Sequence, residues 1–166
     1  MNHYKSWSGL NKQLSDHLCE PLKGRITYFL TRYHDVHNAY GRAAVLLDKT
    51  ELVGFTWAEG YEQDYGFSRL YDSGVEWENA EEILKPEWDK NCTYSEMDFL
   101  SAATAFLSMP IADALSSDNY IVRIFAILDK RVGKRTMQTI RSDNSYITLP
   151  KWVSQFYELR FSVCKC

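Results

Sequence analysis

The residues of this chain best suited to chemistry are His34 and His37, spaced H-x-x-H with Asp35 between them. Imidazole titrates near neutral pH and ligates metals, so the pair could hold a metal ion or act as acid and base. The same residues also make an ordinary polar turn. A zinc-protease helix spaces its histidines as H-E-x-x-H, and this stretch lacks that context. His3 and His17 read as surface residues. The cysteines are Cys19, Cys92, Cys164 and Cys166. Cys164-Lys-Cys166 has the look of half a metal site, but zinc sites usually pair one C-x(2–4)-C with another. The N-terminus shows no signal-peptide pattern, so free thiols and a cytoplasmic location are expected. No G-x-S-x-G, no S-x-x-K with partners, no G-x-G-x-x-G and no P-loop occurs. A glycosidase would need two inward carboxylates at defined separation, which a sequence does not reveal. No catalytic residue and no cofactor is therefore assigned.

Charge is the more informative signal. From Asp48 to Asp98 the chain carries fourteen carboxylates against four cations, a local balance of −10 where the whole chain is −3. The flanks therefore sum to +7. Aromatics interleave with the acids at Glu59, Tyr61, Glu62, Asp64 and Tyr65, and again at Tyr71, Asp72, Glu76, Trp77 and Glu78. One reading is a solvated face whose rings turn inward. The other is a docking surface, in which rings supply anchor area and carboxylates draw in a basic protein. The basic run Lys130-Arg131, Lys134-Arg135 and Arg141 invites a nucleic-acid reading. On a continuous helix Lys130 and Lys134 would share a face, as would Arg131 and Arg135. The same cations could equally offset a helix dipole. A generally basic nucleic-acid binder is excluded by the net charge, and no apolar run approaches the ~20 residues needed to span a bilayer.

The elements that would position these residues follow from periodicity. Trp7, Leu10, Leu14 and Leu18 line one face of a helix over 6–20, with Ser6 or Ser8 as N-cap and Pro21 and Gly24 ending it. Residues 25–33, 42–47 and 51–57 read as a three-stranded antiparallel meander. One face is expected to pack on the first helix and the other on later helices. A helix is expected over 76–84, stopped by Pro86, whereas 61–71 is ambiguous. Ser95 to Asp98 opens another helix with a capping-box pattern, its inward stripe Met97, Leu100, Ala103, Ala105, Phe106 and Leu107. Asp118 or Asn119 caps an apolar helix from Ile121 to Leu128, a basic helix starts near Lys134, and Pro150 opens the last one.

Several stretches resemble a bacterial family of small uncharacterised cytoplasmic proteins. They are Trp7-Ser8-Gly9-Leu10 with Leu14, Leu18-Cys19, Leu22-Lys23-Gly24-Arg25, Leu128 to Arg135, and Phe156-Tyr157-Glu158-Leu159-Arg160. The resemblance covers the two ends of the chain and implies no particular activity.

The expected fold is α+β in a single domain over 1–166. A short antiparallel three-stranded sheet in the N-terminal half is covered by the N-terminal helix and followed by a helical C-terminal half. The expected function is that of a non-enzymatic acidic binding protein, in its sharpest form an immunity-type inhibitor that occludes the active site of a toxin. The partner is a basic protein, with a nuclease domain foremost. Neither a membrane nor a nucleic acid is expected as partner. The alternatives are a small enzyme or metal-binding protein using His34 and His37, and a nucleic-acid-binding module using Lys130 to Arg141.

Overall fold

In a computed structural model of the chain, the described residues are 6–31, 41–56 and 66–164. Helix α1 spans Trp7–His17. Ser6 caps it, its hydroxyl accepting from the Gly9 N–H at 3.4 Å, and Leu10 and Leu14 are buried. A 3₁₀ turn at Glu20–Leu22 leads into β1 (Ile26–Thr31), β2 (Arg42–Leu47) and β3 (Thr50–Thr56). The strands form an antiparallel sheet in the order β1-β2-β3, with Tyr28 opposite Val45 and Val45 opposite Val53. The helical half follows: α2 (Phe67–Asp72), α3 (Trp77–Asn91), α4 (Glu96–Leu107), α5 (Ile111–Leu115), α6 (Tyr120–Leu128), α7 (Lys134–Asp143) and α8 (Lys151–Cys164). The architecture is α+β, as a run of strands followed by a run of helices implies.

Strand periodicity divides the sheet into two unlike faces. Ile26, Tyr28, Ala43, Val45, Val53 and Phe55 are buried on one of them. On the other, Thr27 and Phe29 are exposed, and Arg42 bonds Glu51 across the neighbouring strand. The expected covering of both faces by helices is thus corrected. Both α1 and α4 touch the sheet, and the aromatic contacts from the helices reach Tyr28 and Phe55 on the buried face.

Helix α6 is apolar all round because it runs through the centre, where Ile121 to Leu128 are all buried apart from Arg123. Asn119 caps it, accepting from the Ile121 and Val122 N–H groups at 3.0 and 3.3 Å. Phe125 on α6 meets Tyr28 and Phe99 at 5.4 Å each and Phe106 at 5.6 Å. Phe99 also meets Trp7 at 5.9 Å and Phe55 at 5.3 Å. Aromatic pairs at these separations add to their area burial.

Three expectations about helices change. On α4 the inward face is Phe99, Leu100, Ala102, Ala103 and Phe106, while Met97 and Ala105 are exposed. The capping box sets this phase: Ser95 accepts from Asp98 N–H at 3.3 Å and Asp98 accepts from Ser95 N–H at 2.7 Å, placing Phe99 rather than Met97 toward the sheet. Pro86 does not end α3, which continues to Asn91. It is exposed, and a proline costs only its own N–H bond and a local kink where solvent can reach the freed carbonyl. Finally, no continuous basic helix runs from Lys130 to Arg141. Helix α6 ends at Leu128, Asp129 pairs with Leu18 in an isolated β-bridge, and α7 begins at Lys134.

Candidate functional site

The acidic middle resolves into carboxylates that the fold uses and carboxylates that it leaves in water. Asp48 takes a forked pair of bonds from Arg25. Those bonds hold its carboxyl below the usual carboxylate range. Glu51 bonds Arg42, and Glu87 bonds Arg69 at 2.7 Å. Asp98 closes the capping box. Asp89 anchors α3 to the body. Its carboxylate accepts from Lys85 at 2.6 Å and from the Tyr94 hydroxyl, and its carbonyl accepts from the Trp152 indole at 2.6 Å. Burial, and then the Asp89 bond, push the Tyr94 phenol far above its ordinary value.

Glu96 was expected among the surface acids and is instead 5% exposed. One oxygen accepts from the Gly41 N–H at 3.2 Å, and the other is buried without a hydrogen-bond partner among the described residues. A Cβ at position 41 would sit 2.6 Å from Glu96 Cγ and 2.7 Å from the Thr31 carbonyl, so only glycine fits there.

The remaining described acids share one neighbourhood. Asp72 ends α2, Glu76 precedes α3, and Glu78, Glu81 and Glu82 lie along α3; all are exposed. Among the described residues, none of the five pairs with a lysine or arginine. The helix phase explains their position. Ala80 and Leu84 are buried one turn apart with half-buried Trp88 beyond them, so positions 78, 81 and 82 turn outward. Phe67 packs edge-on against Trp88 at 5.7 Å and fastens α2 to α3. Gly66 caps α2 with φ +81, and a Cβ there would meet Leu84 at 2.8 Å. Two apolar side chains stand among these acids: Tyr71, 78% exposed, and Ile83, 51% exposed.

A second cluster is the opposite in every respect. Asp129, in the turn after α6, is buried with its side chain wholly enclosed. It accepts a fork from Arg131, with Nε at 3.1 Å to both oxygens and a terminal nitrogen at 2.8 Å. That fork raises the Arg131 pKa. His17 Nδ1 lies 3.1 Å from the same carboxylate, off the line of a hydrogen bond. Arg160 on α8 is 4% exposed. Its guanidinium donates to the carbonyls of Ile127 at 3.0 Å, Val132 at 3.1 Å and Asp129 at 3.5 Å, and to Cys164 Sγ. The backbone closes the same junction: Cys19 N–H donates to Leu128 at 2.9 Å and Lys130 N–H to His17 at 2.8 Å. The backbone bridge thus ties residues 17–19 to residues 128–130, and the buried Arg160 ties that turn to α8.

The sequence model of the SF0329 protein family matches residues 6–161. The chain belongs to the SF0329 family. The match takes in both clusters, from α1 to the Arg160 turn of α8. Neither a curated protein nor a solved structure matched the chain.

In this SF0329 protein, Tyr71, Asp72, Glu76, Trp77 and Glu78 fall on or beside α2 and α3, as one local group. Glu59, Tyr61, Glu62, Asp64 and Tyr65 lie outside the described residues, as do His34, His37 and Cys166. Among the described residues no group of three or more His, Cys, Asp or Glu could hold a metal ion. No helix among them is long and apolar enough to cross a membrane. The basic run is partly occupied within the fold: Arg131 serves Asp129, Lys130 Nζ donates to the Asp16 carbonyl at 2.7 Å, and Arg141 lies over the Phe161 ring at 5.8 Å. Lys134 and Arg135 are exposed on the first turn of α7. The residues that sequence reasoning missed are Asp129, Arg160 and Glu96. An Arg in the apolar stripe Val153, Phe156, Tyr157, Phe161 was the available signal for one of them, since Arg160 falls on that inward face.

Proposed function

We propose that this SF0329 protein is a non-enzymatic acidic binding protein, and that its α2–α3 face docks a basic protein. In its sharpest form it is an immunity-type inhibitor that covers the phosphate-reading cleft of a nuclease toxin. The observation that carries the reading is the exposed set Asp72, Glu76, Glu78, Glu81 and Glu82 on or beside α2 and α3, with the exposed Tyr71 next to Asp72. Carboxylates without an internal partner keep their charge available to a cationic surface, and they raise the rate of encounter with it. Tyr71, exposed on α2 next to Asp72, supplies apolar area that a partner can desolvate. Carboxylates of this kind can stand where the phosphates of a nucleic acid would lie.

The test is reconstitution. The chain is co-expressed with the product of the neighbouring reading frame, which this reading expects to end in a short basic domain. A stable complex that suppresses nuclease activity supports the reading. Charge reversal at Glu62 and Asp64, or at Glu81 and Glu82, is expected to slow association most at low salt. A domain that stays active at excess inhibitor, with no complex formed, overturns it.

A further inference from the structure

Helix α6 carries a single charge through the centre of the molecule. Arg123 is half-buried where every other residue from Ile121 to Leu128 is buried. Its Nε donates to the Ser117 carbonyl, and its guanidinium lies over the Tyr120 ring at 5.5 Å. Among the described residues, no carboxylate pairs with Arg123 and no carbonyl accepts from its terminal nitrogens. A guanidinium partly removed from water needs acceptors for its donors, and the strongest acceptors are the oxygens of an anion.

Arg123 lines a cavity of about 260 Å³ bounded by α5, α6, α7, α8 and the 3₁₀ turn Ser145–Thr148. Tyr157 on α8 and Ser145 on the turn line it as well. Tyr157 is 3% exposed, and its ring stacks on Tyr146 at 5.8 Å with the planes 8° apart, which fixes it in place. Burial pushes the Tyr157 phenol up and the Arg123 charge draws it back, so it remains a protonated donor near neutral pH. Two other hydroxyls at the cavity are engaged elsewhere. Thr148 donates to the Ser145 carbonyl at 2.8 Å, and a bond to Glu158 raises the Tyr146 phenol. The apolar part of the lining is Leu115, Ile140 and Leu149. Drug-sized ligands occupy roughly 300–1,000 Å³, so this cavity suits a smaller molecule.

We propose that this cavity binds a small phosphate monoester, with its phosphate on Arg123, Tyr157 and Ser145 and its organic part against Leu115, Ile140 and Leu149. A phosphate group offers three terminal oxygens to a guanidinium fork and two hydroxyls. A carboxylate offers two oxygens and matches that donor set less fully. The site is independent of the acidic face and of what docks there.

The experiment titrates the full chain with inorganic phosphate, glycerol 1-phosphate and acetate at constant ionic strength. Nitrogen–proton correlation spectra follow the Arg123 Nε–H and the amides of residues 145–149. Saturable shifts are expected at both places. Glycerol 1-phosphate is expected to bind more tightly than inorganic phosphate, and acetate at least about fivefold more weakly than inorganic phosphate. Tyr157→Phe keeps the ring stack and is expected to weaken binding at least about fivefold. Arg123→Lys keeps the charge without the fork and is expected to weaken it about tenfold or more. Ser145→Ala, on the exposed turn, is expected to weaken binding a few-fold and keeps the test decisive if Arg123→Lys folds poorly. The proposal is overturned by shifts that do not saturate, by shifts spread over the surface lysines and arginines, or by affinity unchanged in Tyr157→Phe and Ser145→Ala. Acetate binding as tightly as phosphate, or glycerol 1-phosphate no tighter than inorganic phosphate, also overturns it.

Discussion

The Arg160 junction and the α2–α3 face carry similar numbers of charges and use them in opposite ways. At the junction, Asp129 and Arg160 are buried, and each is held by several hydrogen bonds. On α2 and α3, five acids stand in water and none of them pairs with a lysine or arginine among the described residues; Tyr71 is exposed with them. A buried charge left without partners costs several kcal/mol, on the order of a large share of a domain's stability. An exposed charge contributes almost nothing to folding and stays available for encounter. The contrast teaches that the charges most important to stability are those that composition hides. The charges available for function are those that the fold does not recruit.

The largest effect is expected where that contrast is sharpest. Arg160→Met keeps the stem and removes the fork, leaving the Ile127 and Val132 carbonyls unpaired in the interior. The expected loss is about 3–5 kcal/mol in urea unfolding. A loss below about 1 kcal/mol would show that water replaces the guanidinium and that the junction is not enclosed.

A smaller effect is expected from pH. Burial first, and then the Asp129 charge, push the Tyr28 phenol far above its ordinary value of 10.0. The unfolded chain releases this proton near the ordinary value and the folded chain keeps it. Stability is therefore full below pH 10 and falls above it, by about 1.4 kcal/mol per pH unit from this group. Tyr94 adds to the fall, and Cys19 begins it earlier because its ordinary value is 9.0. Tyr28→Phe is expected to match wild type near pH 7 and to lose less stability by pH 11. Denaturant midpoints across that range measure it, and parallel curves for the two proteins would exclude Tyr28 as a source of the alkaline fall.

The smallest effect belongs to the acidic region's own ion pair. Arg69 and Glu87 are 64% and 49% exposed, so Arg69→Ala is expected to cost no more than about 0.5 kcal/mol. A cost comparable to that of Arg160→Met would erase the distinction between the two regions.

Much of the fold is legible in the sequence because it rests on local rules. The strand over 42–47, the Ser6 and Asn119 caps, the Ser95–Asp98 capping box and the Pro150 entry to α8 all follow from side chains acting on their own neighbours. What was not legible depends on distant partners. Asp129 lies beside Lys130 and Arg131 in a run that reads as a solvated basic helix. Only the return of Leu18 and Cys19 to Leu128 and Asp129 makes it a buried hub. Glu96 counts as one more acid until Gly41 is placed against it. Pro86 reads as a stop, yet Leu84 and Trp88 pack on either side of it and carry α3 onward. The acidic face was visible as composition, but its true membership was not. Asp48, Glu51, Glu87 and Glu96 leave it because partners elsewhere in the chain take them, and Asp89 and Asp98 because near neighbours do.

The measurement closest to the central claim is the association rate with the adjacent basic domain, for wild type and for the triple variant Glu78→Lys, Glu81→Lys and Glu82→Lys, across a salt series. The account predicts a rate at least about tenfold slower for the variant at low salt, converging with wild type as salt rises. Folding stability is expected to stay within about 0.5 kcal/mol of wild type. Equal rates for the two proteins at every salt concentration, with the complex still forming, would contradict it.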